Sequence, residues 1–152
     1  MPAINVEGID HVHVQVANRD AAAEWFGRVL GLQIAKEFDS WAKDPRGPLF
    51  LVTPDGVRCL ALFEEPDTKK NRRRNHTIAF KVSAWEFVEL VRHLDELQLT
   101  TADGSKLSRR DVVDHELSWS IYFIDPDGNR FELTAYQYDE VSRLLAHGAP
   151  GQ

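Results

Sequence analysis

The 152-residue sequence predicts an α+β protein built from two βαβββ modules that form an open, curved mixed sheet. Two repeats carry that expectation. Leu49–Leu62 reads LFLVTPDGVRCLAL and Ile121–Thr134 reads IYFIDPDGNRFELT, each a strand, a turn and a strand. Upstream of each hairpin lies a second echo, Asp10–Val16 (DHVHVQV) and His76–Val82 (HTIAFKV), and each precedes an apolar pattern of helical period. The composition, 43% apolar and 28% charged, is that of an ordinary globular chain.

Taken in order, the first strand alternates Val12, Val14 and Val16 with His11, His13 and Gln15. A helix should start at Asn18 or Asp20, bury Trp25, Phe26, Val29 and Leu30, and stop at Gly31, which accepts the left-handed conformation at a helix end. A strand is expected near Gln33–Phe38. In the hairpin that follows, Pro54-Asp55-Gly56 supplies the turn, proline presetting φ and glycine accepting a positive one. Glu65–Asn75 is a polar joint whose KKNRRR run reads as a solvated loop.

In the second module, Ser83 with Glu86 three residues on forms a capping box, and Phe87, Leu90, Val91, Leu94 and Leu97 recur at helical spacing. A strand near Leu97–Ala102, the second hairpin, and a short amphipathic helix over Asp139–His147 ending at Gly148 complete the chain. The expected organisation is one domain, 1–152, made of module 8–64, module 75–138 and a tail 139–152.

Several function classes recede on charge and composition. Lysine and arginine number 18 against 24 aspartates and glutamates, a formal charge of −6, which offers no electrostatic footprint for nucleic acid or an anionic membrane. Met1–Asp10 carries no basic segment leading into an apolar one, and no run approaches the roughly 20 apolar residues of a membrane span. A soluble, cytoplasmic protein is expected. Cys59 is the only cysteine, so any metal must be held by nitrogen and oxygen ligands.

Strand parity says where the unusual side chains point. The valine face of the first strand should pack on its helix, leaving His11, His13 and Gln15 on the opposite face, poor material for a dry core. In the last strand Arg130, Glu132 and Thr134 share one face against Phe131 and Leu133. Two imidazoles and a carboxylate converging from different strands would make a divalent-metal site whose open positions take substrate and dioxygen. The second imidazole has three readings. His76 alternates onto the helix side of its strand while Thr77 takes the matching place, so either a late strand start or a bulge re-aims His76, or His13 is the ligand, or the set holds one imidazole.

These residues resemble the vicinal oxygen chelate superfamily, which includes glyoxalase I, fosfomycin-resistance proteins, bleomycin-resistance proteins and extradiol dioxygenases. The resemblance runs from Gly8 to Tyr138, through DHVHVQV, AAEWFGRVLGL, NHTIAFKV and SIYFIDPDGNRFEL. It implies His11 and Glu132 as metal ligands with His76 as the third; the family's middle histidine usually stands two residues before the Ala-Phe pair, where this sequence has Thr77. Aligning the two Pro-Asp-Gly turns puts Leu60 at the place of glyoxalase I's extra carboxylate, which favours a three-ligand site.

Val113-Asp114-His115, Ile121-Tyr122, Asp125-Pro126, Gly128 and Glu132 further resemble the signature of extradiol dioxygenases. That likeness implies His115 as acid and base and Tyr122 as hydrogen-bond donor. It also implies a divalent cofactor, Fe(II) in the first place with Mn(II), Zn(II) or Ni(II) as alternatives, a catechol-type substrate with vicinal oxygens, and a homodimer. Trp41, Phe50, Phe63, Trp85 and Trp119 could wall an apolar pocket, but most read as core, and the parity Trp119 shares with Ile121 and Phe123 turns it toward the second helix rather than the cavity. Two other readings stand beside it: a metal-dependent lyase, isomerase or thiol transferase on the same scaffold, and a metal-free aromatic-binding module of the bleomycin-resistance type, which Thr77 favours.

Overall fold

The computed structural model describes residues 9–67 and 76–147. The KKNRRR run and Gly148 lie outside the described residues. The chain divides into two compact units, 1–72 and 73–152, the boundary falling inside the polar joint. Each unit is a four-stranded mixed sheet with the helix that follows its first strand packed on one face, and the strands share one plan, lying side by side in the order first, fourth, third, second.

In unit 1, β1 (Val12–Val16) runs parallel to β4 (Arg58–Glu64), which pairs antiparallel with β3 (Leu49–Val52). Helix α1 (Arg19–Leu30) opens on Asn18, whose side chain accepts from Ala21 N–H, and ends at Gly31 in the left-handed region with φ 67°. It lies against β4 and β2 (Gln33–Ile34). Val14, Val16, Leu51, Leu60 and Leu62 on the helix side are buried together with Phe26. Each fully buried side chain of this size contributes roughly 1.5–3 kcal/mol.

Unit 2 repeats the arrangement. β5 (Thr77–Lys81) runs parallel to β8 (Arg130–Ala135), and β7 (Trp119–Ile124) pairs antiparallel with β8 and with the short β6 (Val113–Asp114). Ser83 caps α3 (Ala84–Arg92) by accepting from Glu86 N–H. This helix packs on β8, and the last helix, α5 (Tyr138–His147), packs on α3. Phe87, Phe123 and Phe131 fill the helix side of the sheet. No helix among the described residues is long and apolar enough to cross a membrane.

Four local expectations change. The strand expected over Gln33–Phe38 is cut to two residues, and a 3-10 turn (Lys36–Phe38) and the short α2 (Asp39–Ala42) follow. Leu97–Ala102 makes only isolated bridges, Thr100 pairing with Lys106 and with Ile124. The helix after Ser83 breaks at His93 before the one-turn α4 (Leu94–Leu97). Trp119 does face the helix side, but it meets the C-terminal helix rather than α3: it stacks on Tyr138 and its indole donates to Ser142 Oγ over 2.9 Å.

Candidate functional site

The polar residues of unit 1 lie on the sheet face away from α1, as parity requires. His13 sits beside Ala61 in the ladder, and Ala61 beside Phe50. His11 meets Phe50 edge-on with centroids 4.8 Å apart, and His13 lies 4.6 Å from the Phe63 ring. Phe38 and Trp41 stack at 4.9 Å and both approach Phe50, which extends an aromatic surface from the two imidazoles. Trp41 is half exposed, at 51%. Trp85, on α3, is exposed too, so of the five aromatic candidates Trp41, Phe50 and Phe63 share the histidine face of unit 1.

The imidazole of His11 is held from behind. Its Nδ1 stands 2.6 Å from Asp10 Oδ2, and Asp10 Oδ1 accepts from Arg58 Nε and Nη2. These bonds from His11 and Arg58 hold the Asp10 carboxyl below its ordinary value. With Nδ1 given to the carboxylate, Nε2 of His11 carries the lone pair, the arrangement by which proteins orient a metal-binding imidazole. Nε2 of His13 lies 3.1 Å from it. Nothing in the sequence reading singled out Asp10, although its signal was present, a carboxylate immediately before the histidine.

In unit 2 the decisive side chains are cross-strand neighbours. Ala79 of β5 and Tyr122 of β7 flank Glu132 of β8. Buried Ser120 donates to Glu132 Oε1 over 2.7 Å, with Thr134 Oγ1 3.1 Å away on its other side. Tyr122 OH stands 3.1 Å from His115 Nε2, and the Arg130 guanidinium lies over the Tyr122 ring at 4.8 Å. Burial and the neighbouring Glu132 carboxylate push the Tyr122 hydroxyl up from its ordinary 10, so it stays protonated at neutral pH and keeps its donor. His115, Tyr122 and Glu132 therefore form one polar row. Tyr122 and Arg130 also line a cavity of about 390 Å³ with Thr101, Ser105 and Asp111.

His76 lies outside this row. It precedes β5 and is exposed, and the β5–β8 register is regular from Thr77 to Lys81 without a bulge, so Thr77 shares the face of Glu132. Leu60 is not the counterpart of Glu132 either. A register shift between Leu51 and Val52 inserts one residue into β4, which turns Leu60 into the helix-side core and leaves Ala61 beside His13, as Glu132 lies beside Ala79. Both are apolar, so unit 1 offers no carboxylate at this place. Among the described residues no group of three or more His, Cys, Asp or Glu side chains is placed to hold a metal ion.

Residues 8–133 match the family model described as Glyoxalase/Bleomycin resistance protein/Dioxygenase superfamily. The chain belongs to this superfamily. It is 32% identical over 130 residues, 84% of its length and 76% of the relative's, to "Metallothiol transferase FosB" of Staphylococcus saprophyticus. It is 27% identical over 140 residues, 91% of its length and 69% of the relative's, to "Biphenyl-2,3-diol 1,2-dioxygenase 3" of Rhodococcus globerulus. Among solved structures, a glyoxalase/dioxygenase from Nostoc punctiforme superimposes with a TM-score of 0.64 at 22% identity, covering 90% of this chain and 98% of that one. A mutant of the fosfomycin resistance protein FosX from Listeria monocytogenes, complexed with Mn(II) and 1S,2S-dihydroxypropylphosphonic acid, gives 0.66 at 17% identity, covering 90% and 97%. These likenesses establish the α+β fold of paired βαβββ modules.

Proposed function

We propose that this protein is a divalent-metal-dependent enzyme acting on a small molecule with two adjacent oxygens, with extradiol cleavage of a catechol-type ring as its reaction. The observation that carries the reading is the row His115–Tyr122–Glu132: a proton carrier and a hydrogen-bond donor beside the carboxylate that the superfamily pattern makes a metal ligand. The aromatic surface of Phe38, Trp41 and Phe50 beside His11 supports a ring substrate.

The residues present suit a metal of the Fe(II) or Mn(II) class. His11 has its far nitrogen tied to Asp10, and Glu132 has one oxygen held by Ser120, so each offers an oriented donor. His11 and Glu132 are the proposed ligands, and two histidines compete for the third place: His76, one residue before the place the family pattern gives, and His13, by its position beside His11. A bound metal would polarise the two substrate oxygens and ease loss of their protons.

His115 takes up a proton from the substrate hydroxyl at an imidazole nitrogen, since imidazoles suit proton relays near neutral pH. Tyr122, kept protonated, donates to an oxygen in which negative charge develops and holds the His115 ring through the same hydroxyl.

A second reading, thiol transfer, rests on the 32% identity to the metallothiol transferase. One experiment separates the two. Protein loaded with Fe(II) under argon is assayed for oxygen uptake with catechols, biphenyl-2,3-diol first, and Mn(II)-loaded protein for loss of thiol with fosfomycin. Oxygen uptake coupled to a coloured ring-opened product supports the extradiol reading. Thiol consumption without oxygen uptake replaces it with the transferase, and neither activity across the panel would leave the aromatic-binding module.

A further inference from the structure

The Nε2 atoms of His11 and His13 face each other at 3.1 Å across one strand, their rings inclined by 17°. Two nitrogens bound to one metal at about 2.0–2.1 Å, at angles between 90° and tetrahedral, stand roughly 2.8–3.4 Å apart. With Nδ1–H of His11 donating to the Asp10 carboxylate, its Nε2 is left as an acceptor, and one N–H from Nε2 of His13 satisfies the close approach of the two atoms. A cation between them would replace that proton.

We propose that His13, and not His76, is the second imidazole ligand, so that unit 1 presents a two-nitrogen chelate from residues i and i+2 of β1. This rests on the metal-dependent reading above. It accounts for three features together. Thr77, on the face of Glu132, has no nitrogen to give; His76 stands exposed ahead of the β5 ladder; and His13 fills in unit 1 the position that alanine fills in unit 2, directly beside the Glu132 counterpart. Ala61, beside His13 in the ladder, leaves room on that side for its ring to turn, with Phe63 and His11 as the rings it must move past. Chelation requires that turn, because two nearly parallel stacked rings do not both contain the metal in their planes.

The test uses the whole chain, stripped of metal and titrated with Co(II) alone, followed by calorimetry and by the ligand-field absorption of the bound ion. Wild type is compared with His11→Ala, His13→Ala, His13→Gln and His76→Ala, each checked for an unchanged thermal unfolding transition. Affinity should fall roughly 10- to 100-fold or more in the His11 and both His13 variants, with loss of absorption intensity, and stay within twofold in His76→Ala. Zn(II) should shift the Nε2 resonances of both His11 and His13 in nitrogen-15 spectra, a readout that a merely structural histidine would not move. Wild-type affinity in both His13 variants, or a His76→Ala loss matching that of His11→Ala, overturns the assignment while the metalloenzyme reading survives. Failure of the wild type to bind Co(II) at all overturns both.

Discussion

The buried hydroxyl of Ser120 donates to Glu132 Oε1 over 2.7 Å, so the carboxylate reaches the polar face of its sheet already oriented. Replacement by alanine removes that donor and strands Thr134 Oγ1 on a buried surface. Ser120→Ala should cost about 1–3 kcal/mol of stability and weaken metal binding roughly 10- to 100-fold. Denaturant unfolding and metal titration read the two effects separately. A loss of stability with unchanged metal affinity would show that Ser120 serves the fold alone.

Tyr122 bridges that carboxylate and His115. Its phenyl ring can stay under Arg130 when the hydroxyl is removed. Tyr122→Phe should therefore leave unfolding and metal affinity nearly unchanged while kcat falls roughly 100-fold or more, the range for losing one donor to developing negative charge. An accompanying loss of metal would mean that Tyr122 instead helps to position Glu132.

Asp10 is a positioning residue acting through His11. In Asp10→Asn the partner of His11 Nδ1 becomes neutral and the pairing with Arg58 is lost. Metal affinity should drop roughly 10- to 100-fold, and Asp10→Glu should restore part of it. The exposure of the pair predicts little change in unfolding.

Asp125 anchors the second Pro-Asp-Gly turn. Its carboxylate accepts from the N–H groups of Asp127 and Asn129 and from the Asn129 amide, yet burial outweighs these bonds and pushes its pKa from 3.8 up to about 6. The folded chain therefore holds the proton more tightly than the unfolded one. Its contribution to stability is complete below about pH 4 and is lost as pH rises through about 6, by up to about 3 kcal/mol. Asn129 can reverse its amide to suit an asparagine, so Asp125→Asn should flatten this part of the stability profile between pH 4 and 7. Parallel profiles for the two proteins would refute the account.

Much of the fold was legible because local chemistry and tertiary packing agree. Asn18 and Gly31 bound α1, Ser83 opens α3, and the two Pro-Asp-Gly turns fix hairpins whose pleat then sorts valine from histidine and phenylalanine from glutamate. The pairing of Tyr122 with Glu132 follows from the turn and the pleat together. The edges were less legible: β2 and Leu97–Ala102 are fixed by what lies beside them, which no periodicity records. One extra residue in β4 reversed the face of Leu60, since a single-residue slip exchanges the two sides of a strand. Asp10 escaped because a carboxylate next to a histidine is ordinary in a sequence, and only the fold brings Arg58 of β4, 48 residues away, to fix it against the imidazole.

Metal binding through Glu132 is the claim on which the rest depends. Calorimetric titration of metal-free wild type and of Glu132→Gln with Mn(II) tests it most directly, because the variant keeps the Ser120 acceptor and the side-chain volume while removing the charge. One equivalent bound by wild type, and affinity lowered at least roughly 100-fold in the variant, is the predicted result. Equal isotherms for the two proteins would contradict the account.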